Sequence, residues 1–100
     1  MSASSERRSY LVECYWPGVS EQKLTATVAR AHAAASKLSR QGRNVALVGT
    51  ILVPADETVF CLFEGLEADV RAVSSQAEVP FERVLESLRI DGKQQQREEK

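Results

Sequence analysis

Phe81-Glu-Arg-Val-Leu-Glu-Ser-Leu-Arg-Ile90 is the stretch on which the fold turns. Phe81, Val84, Leu85 and Leu88 recur at the spacing of a helix face, whereas Val84, Glu86, Leu88 and Ile90 alternate as one face of a strand. Periodicity alone leans to helix. The rest of the chain decides for strand, because the segments before it form an array that calls for one more strand at its end.

Immediately upstream, Pro80 closes a helical stripe of Leu66, Val70, Val73 and Ala77, with Gly65 breaking the chain before it. A helix is expected over about 66–77. Further back, Thr58 to Glu64 (Thr-Val-Phe-Cys-Leu-Phe-Glu) is rich in β-branched and aromatic residues. Val45 to Val53 is apolar on both faces, and the short Pro54-Ala-Asp-Glu57 link makes the two runs an antiparallel hairpin. Between residues 21 and 41, Leu24, Val28, Ala31, Ala35 and Leu38 draw one apolar stripe on a helix. Ser20 suits its N-cap, and Gly42 suits the position after its end. Ser9 to Trp16 is a strand stopped by Pro17-Gly18, with Tyr10, Val12, Cys14 and Trp16 on one face and Leu11, Glu13 and Tyr15 on the other.

The resulting order, β-α-β-β-α-β, is the α+β ferredoxin-like pattern: a four-stranded antiparallel sheet in spatial order 4-1-3-2 with both helices on one face. The ordered domain is expected at residues 9–90, with a flexible tail at 1–8 and a disordered polar tail at 91–100, where no apolar residue occurs. Two helices cover one face only. If Tyr10, Val12 and Cys14 meet the helices, the open face carries Leu11, Glu13 and Tyr15, with Phe60, Leu62 and Glu64 from the third strand and Val48, Thr50 and Leu52 from the second. Such a face is too apolar to leave in water, and a homodimer packed sheet against sheet is the simplest cover.

Composition excludes several function classes. In the 100 residues, 13 basic side chains nearly balance 14 acidic ones, so the net charge of -1 gives no footing for nucleic acid or an anionic membrane surface. No apolar run is long enough to span a bilayer and the polar start lacks a signal-peptide core, so a cytoplasmic location is expected. Two Cys and one His allow neither a disulfide scaffold nor a histidine-rich metal site, and no glycine-rich phosphate loop is present.

Tyr10-Leu-Val-Glu-Cys-Tyr-Trp-Pro-Gly-Val19, Gly49-Thr-Ile-Leu-Val-Pro-Ala-Asp-Glu57, Val59-Phe-Cys-Leu-Phe-Glu64 and Val79-Pro-Phe-Glu-Arg-Val-Leu-Glu-Ser87 together resemble a family of small bacterial ferredoxin-like proteins, most without an assigned function, one branch of which is described as nickel-binding. The resemblance spans roughly residues 9–90. It implies a ferredoxin-like protomer that dimerises as in dimeric α/β barrels, and nickel as the metal if one is bound. The nickel branch tends to carry His in the second helix; here Val70-Arg-Ala-Val-Ser-Ser-Gln-Ala77 has none.

The residues that can carry chemistry are few. Glu13, Glu64 and Glu86 are carboxylates in otherwise apolar strands, and a carboxylate so placed must reach water, pair with a cation such as Arg83 or Arg89, or bind a ligand. Tyr15 and Trp16 crowd the end of the first strand, as a core rim or a pocket wall. Glu13, Tyr15, Trp16, Phe60 and Glu64 are therefore the ligand-binding candidates, and His32 with Glu13 and Glu64 is the set available to a metal. Cys14 and Cys61 read as small buried hydrophobes, with a redox pair or soft-metal ligands as the alternatives. Three functions compete: a binding module holding a small molecule or metal ion between the sheets of a homodimer, a cofactor-independent oxygenase, isomerase or cyclase using Glu13, Glu64 or His32 as base, and a regulatory partner docking through the small residues Ala26, Ala29 and Ala33 of the first helix.

Overall fold

The structure is a computed structural model and describes residues 8–88 and residue 90. Its elements follow the expected order: β1 (Arg8–Tyr15), α1 (Glu21–Arg40), β2 (Ala46–Val53), a 3-10 turn (Pro54–Asp56), β3 (Thr58–Gly65), α2 (Glu67–Gln76) and β4 (Phe81–Ser87). The strands form one antiparallel sheet in the order β2-β3-β1-β4, the arrangement of a ferredoxin-like fold. The expected tails fall outside the described residues, except that Arg8 already belongs to β1.

Local chemistry sets the helix ends. The Ser20 hydroxyl accepts a hydrogen bond from the Lys23 N–H at 3.1 Å and caps α1. At the other end Gly42 adopts φ +86°, Arg43 N–H donates to the Leu38 carbonyl and Gly42 N–H to that of Ser39, a Schellman closure. The same closure ends α2, with Val79 N–H donating to the Ser74 carbonyl and Glu78 N–H to that of Ser75, but there the left-handed residue is Glu78 at φ 60°. Leu66, expected in the α2 stripe, is the N-cap and about half exposed, so the stripe begins at Val70.

The core lies between the helices and one sheet face. Val12, Cys14, Phe63, Val70, Val73 and Ala77 are fully sealed, and Ala31, Ala35 and Leu38 of α1 close over them. The buried Asp69 carboxylate of α2 accepts from the Arg43 guanidinium at 2.8 Å and anchors the α1–β2 connection to the second helix.

Two β-bulges, one on each edge strand, shape the sheet. In β2, Leu47 pairs with Phe63 and Gly49 with Leu62, so Val48 is surplus. Everything after it is displaced by one position relative to strict alternation. Thr50 and Leu52 stand opposite Cys61 and Val59 on the helix-facing side, and Ile51 and Val53 turn to the open face. The expectation of Thr50 and Leu52 on the open face is thereby corrected. In β4, Phe81 pairs with Cys14 and Arg83 with Glu13, leaving Glu82 surplus. Phe81 and Val84 therefore both face the helices despite being three residues apart. The helix-like spacing in this segment is the signature of the bulge. The strand stops at Ser87, so Leu88 and Ile90 lie beyond it and are exposed.

Candidate functional site

The open sheet face is built from alternate residues of four strands. One row across the sheet runs Leu85, Leu11, Leu62, Gly49, and the next runs Arg83, Glu13, Phe60, Ile51. Leu11, Leu62, Leu85 and Phe60 are each only partly covered, and Ile51 is 62% exposed. Gly49 contributes no side chain and nothing lies within 4 Å of where a Cβ would stand, so the first row ends in open space beside Leu62. Tyr15, at the end of β1, is 51% exposed, and its register partner is Thr58.

Glu13 sits in the middle of this face. Its carboxylate accepts from both Arg83 nitrogens, Nε at 2.7 Å and Nη2 at 2.6 Å, across the β1–β4 ladder. Arg83 is the partner that a carboxylate in an apolar strand requires, and cross-strand register delivers it. Glu64 lies on the same face but opposite Ser9, four residues along β1 from Glu13. At the rise of a strand the two carboxylates are roughly 13 Å apart. Glu86 is on the opposite side, opposite Tyr10, and pairs with Arg8.

The remaining candidates are elsewhere. Trp16 packs against the core and lines the inner side of the sheet with Cys14, Leu24 and Val28, so it is no wall of the open face. The Trp16 backbone N–H donates to the Glu57 carbonyl at 2.8 Å, while the Glu57 carboxylate accepts from the Gly18 N–H at 3.0 Å, fixing the turn after β1 against the β2–β3 connection. His32 is exposed on α1 and borders a groove of about 350 Å³ with Ser36, Arg40 and Ala46. The body of the sheet thus separates His32 from Glu13 and Glu64, and within one chain these three do not converge. Among the described residues no group of three His, Cys, Asp or Glu side chains is gathered closely enough to hold a metal ion.

Cys14 and Cys61 are both free and buried on the helix-facing side. They occupy diagonal positions of adjacent strands, Cys14 opposite Val59 and Cys61 opposite Val12. The Cys14 thiol donates to the Val12 carbonyl at 3.9 Å, and the neighbouring Cys61 thiol together with burial pushes its pKa up. Cys61 is pulled down, first by the neighbouring Cys14 and further by Thr50, although burial opposes the change.

No family model matches the chain, and no curated protein matches it. Among solved structures, the crystal structure of SCO4226 from Streptomyces coelicolor A3(2) superimposes with a TM-score of 0.63 at 22% identity, over 83% of this chain and 99% of that one. The likeness shows a shared fold. Among the described residues no helix is long and apolar enough to cross a membrane.

Proposed function

We propose that the chain is a homodimeric, cytoplasmic binding module that packs the open sheet faces of two copies together and holds a small, mostly apolar molecule between them. The observation that carries this reading is the continuous strip of Leu85, Leu11, Leu62, Phe60 and Ile51, with the Glu13–Arg83 pair embedded in it. A strip of this kind is what a second copy would cover. A net charge of -1 adds almost no repulsion between two identical chains, and the acid and base at the centre of the face give two copies complementary polar groups. The open space at Gly49 and the phenol of Tyr15 supply room and one hydrogen-bonding group, the usual composition of a small-molecule site. The family resemblance, with its dimeric α/β-barrel assembly, agrees with this reading. The separation of His32 from both carboxylates favours an organic ligand over a nickel ion at this face.

Sedimentation and native mass spectrometry of the purified chain test the proposal. A dimer at micromolar concentration is expected, converted to monomer by Leu62→Lys, with any co-purified molecule lost at the same time. A wild-type monomer removes the basis of the reading. A dimer that carries no ligand and shows no stabilisation with 8-anilinonaphthalene-1-sulfonate as an apolar probe retains the assembly and refutes the binding role.

A further inference from the structure

We propose that Cys14 and Cys61 form a two-thiolate site for a soft monovalent cation, copper(I), on the helix-covered side of the sheet. The site is independent of the open face and of the dimer.

The geometry begins with the register. Val12 faces Cys61 and Cys14 faces Val59, so the two cysteines are diagonal neighbours on one face of the β1–β3 ladder. Diagonal Cα atoms in such a ladder are roughly 7–8 Å apart. A disulfide needs about 4.4–6.8 Å, so this register disfavours direct S–S closure. A metal between two thiolates adds two bonds of about 2.3 Å each, the zinc–thiolate value, and spans the gap. Both side chains lie on the helix-facing side and line one common space.

The surroundings select the ion. Both thiols line a void of about 10 Å³ whose other walls include Trp16, Leu24, Ala31 and Phe63. That volume is about one water or one ion and admits no organic molecule. Among the described residues no third His, Cys, Asp or Glu is gathered beside them, so these residues supply neither the four ligands that zinc takes nor the oxygen shell of a hard cation. Copper(I), a filled-shell soft ion, is satisfied by two thiolates. Binding displaces one proton from each thiol and leaves an S–Cu–S unit of charge -1. Thr50 stands directly opposite Cys61 in the β2–β3 ladder and places its hydroxyl-bearing side chain beside that charge.

A groove adjoins the site. It measures about 390 Å³, lies between α1 and β2 and is lined by Glu21, Leu24, Thr25, Val28, Thr50 and Leu52. It shares Leu24 and Val28 with the inner void and includes Thr50, the register partner of Cys61. Glu21 gives its mouth a carboxylate. The bulge at Val48 is what turns Thr50 inward to this position.

The test is anaerobic titration of the full chain with copper(I) against bicinchoninate. One copper(I) per chain is expected, with a near-ultraviolet thiolate-to-copper band. Cys14→Ala and Cys61→Ala should each weaken binding by on the order of 100-fold. If an alanine variant fails to fold, the near-ultraviolet band of the wild type and Thr50→Val, expected to weaken binding about 10-fold, still decide the matter. Competition unchanged in the Cys14→Ala/Cys61→Ala double variant, absence of the band, or one-to-one zinc(II) binding of equal strength would each overturn the proposal.

Discussion

Deleting Val48 tests the register on which the open face depends. Leu47 is already opposite Phe63 and Gly49 opposite Leu62, so removing the surplus residue lets both pairings persist in an uninterrupted ladder. No buried side chain changes face. Val48 is 41% exposed, and full burial of a valine contributes about 1.5 kcal/mol at the low end, so its removal forfeits roughly 1 kcal/mol. A regular ladder returns about 0.5–1.5 kcal/mol in better hydrogen bonding. The expected net change is within about 1 kcal/mol. Deleting Leu62, the residue just across the ladder, is the contrast. Strand β3 has no surplus residue and is paired on both sides, so the chain after the deletion reverses its faces. Phe63, fully buried, is then turned out and Glu64 turned in, at a cost of at least the 3–5 kcal/mol of a core Phe→Ala change. Urea unfolding followed by fluorescence of the single tryptophan, Trp16, at several protein concentrations separates the two outcomes. If the Val48 deletion destabilises the protein as much as the Leu62 deletion, Val48 is not surplus, and the placement of Ile51 on the open face and Thr50 beside Cys61 is wrong.

Other substitutions probe the connections that hold the sheet and helices in register. Arg43→Met leaves the Asp69 carboxylate, 6% exposed, without its guanidinium, and a loss of about 2–3 kcal/mol by chemical denaturation is expected, because removing one partner of a buried pair strands the other. Gly65→Ala combines a backbone at φ +145° with a Cβ only 2.9 Å from the Asn44 carbonyl oxygen, so a loss of about 2–4 kcal/mol is expected, and a neutral result would contradict the close packing there. Glu78→Gly relieves a left-handed residue at the end of α2 and should raise stability by about 0.5–1 kcal/mol in the same assay. Ser74→Ala removes a sealed hydroxyl with no hydrogen-bond partner among the described residues, and melting should be unchanged or higher.

The fold was legible where burial and period agree. The stripe Leu24, Ala31, Ala35, Leu38 reads as a helix because all four positions are buried, and the β3 run alternates without interruption because the surplus residue of each bulge lies in an edge strand and none lies in β3. The misplaced face of β2 and the ambiguous period of β4 have one physical cause. A bulge inserts a residue that sequence periodicity counts as paired, so alternation counted along β2 sends Thr50 and Leu52 outward, and Phe81 with Val84 mimics a helix turn although the segment is the expected strand. Nothing in the residue types marks Val48 or Glu82 as surplus. The marker is the partner strand, which lies elsewhere in the chain.

The candidate site divides along the same line. Glu13 stood out in the sequence because a carboxylate in Tyr-Leu-Val-Glu-Cys-Tyr demands a partner, and Arg83 answers that demand across β1 and β4. Alternation within β1 already separated Trp16 from Tyr15, and the structure keeps them apart on opposite faces. What a single strand could not reveal was distance along the sheet. Glu13 and Glu64 share a face, yet register sets them four residues apart, whereas Cys14 and Cys61 become diagonal neighbours. Register therefore dissolves a pairing of two hard ligands that looked plausible in the sequence. It creates a pairing of two soft ligands that read as packing. The chemistry available to this chain follows from that exchange: an open face whose central charge is already neutralised and whose unmet need is apolar cover, and a covered face whose two cysteines line a space the size of one ion.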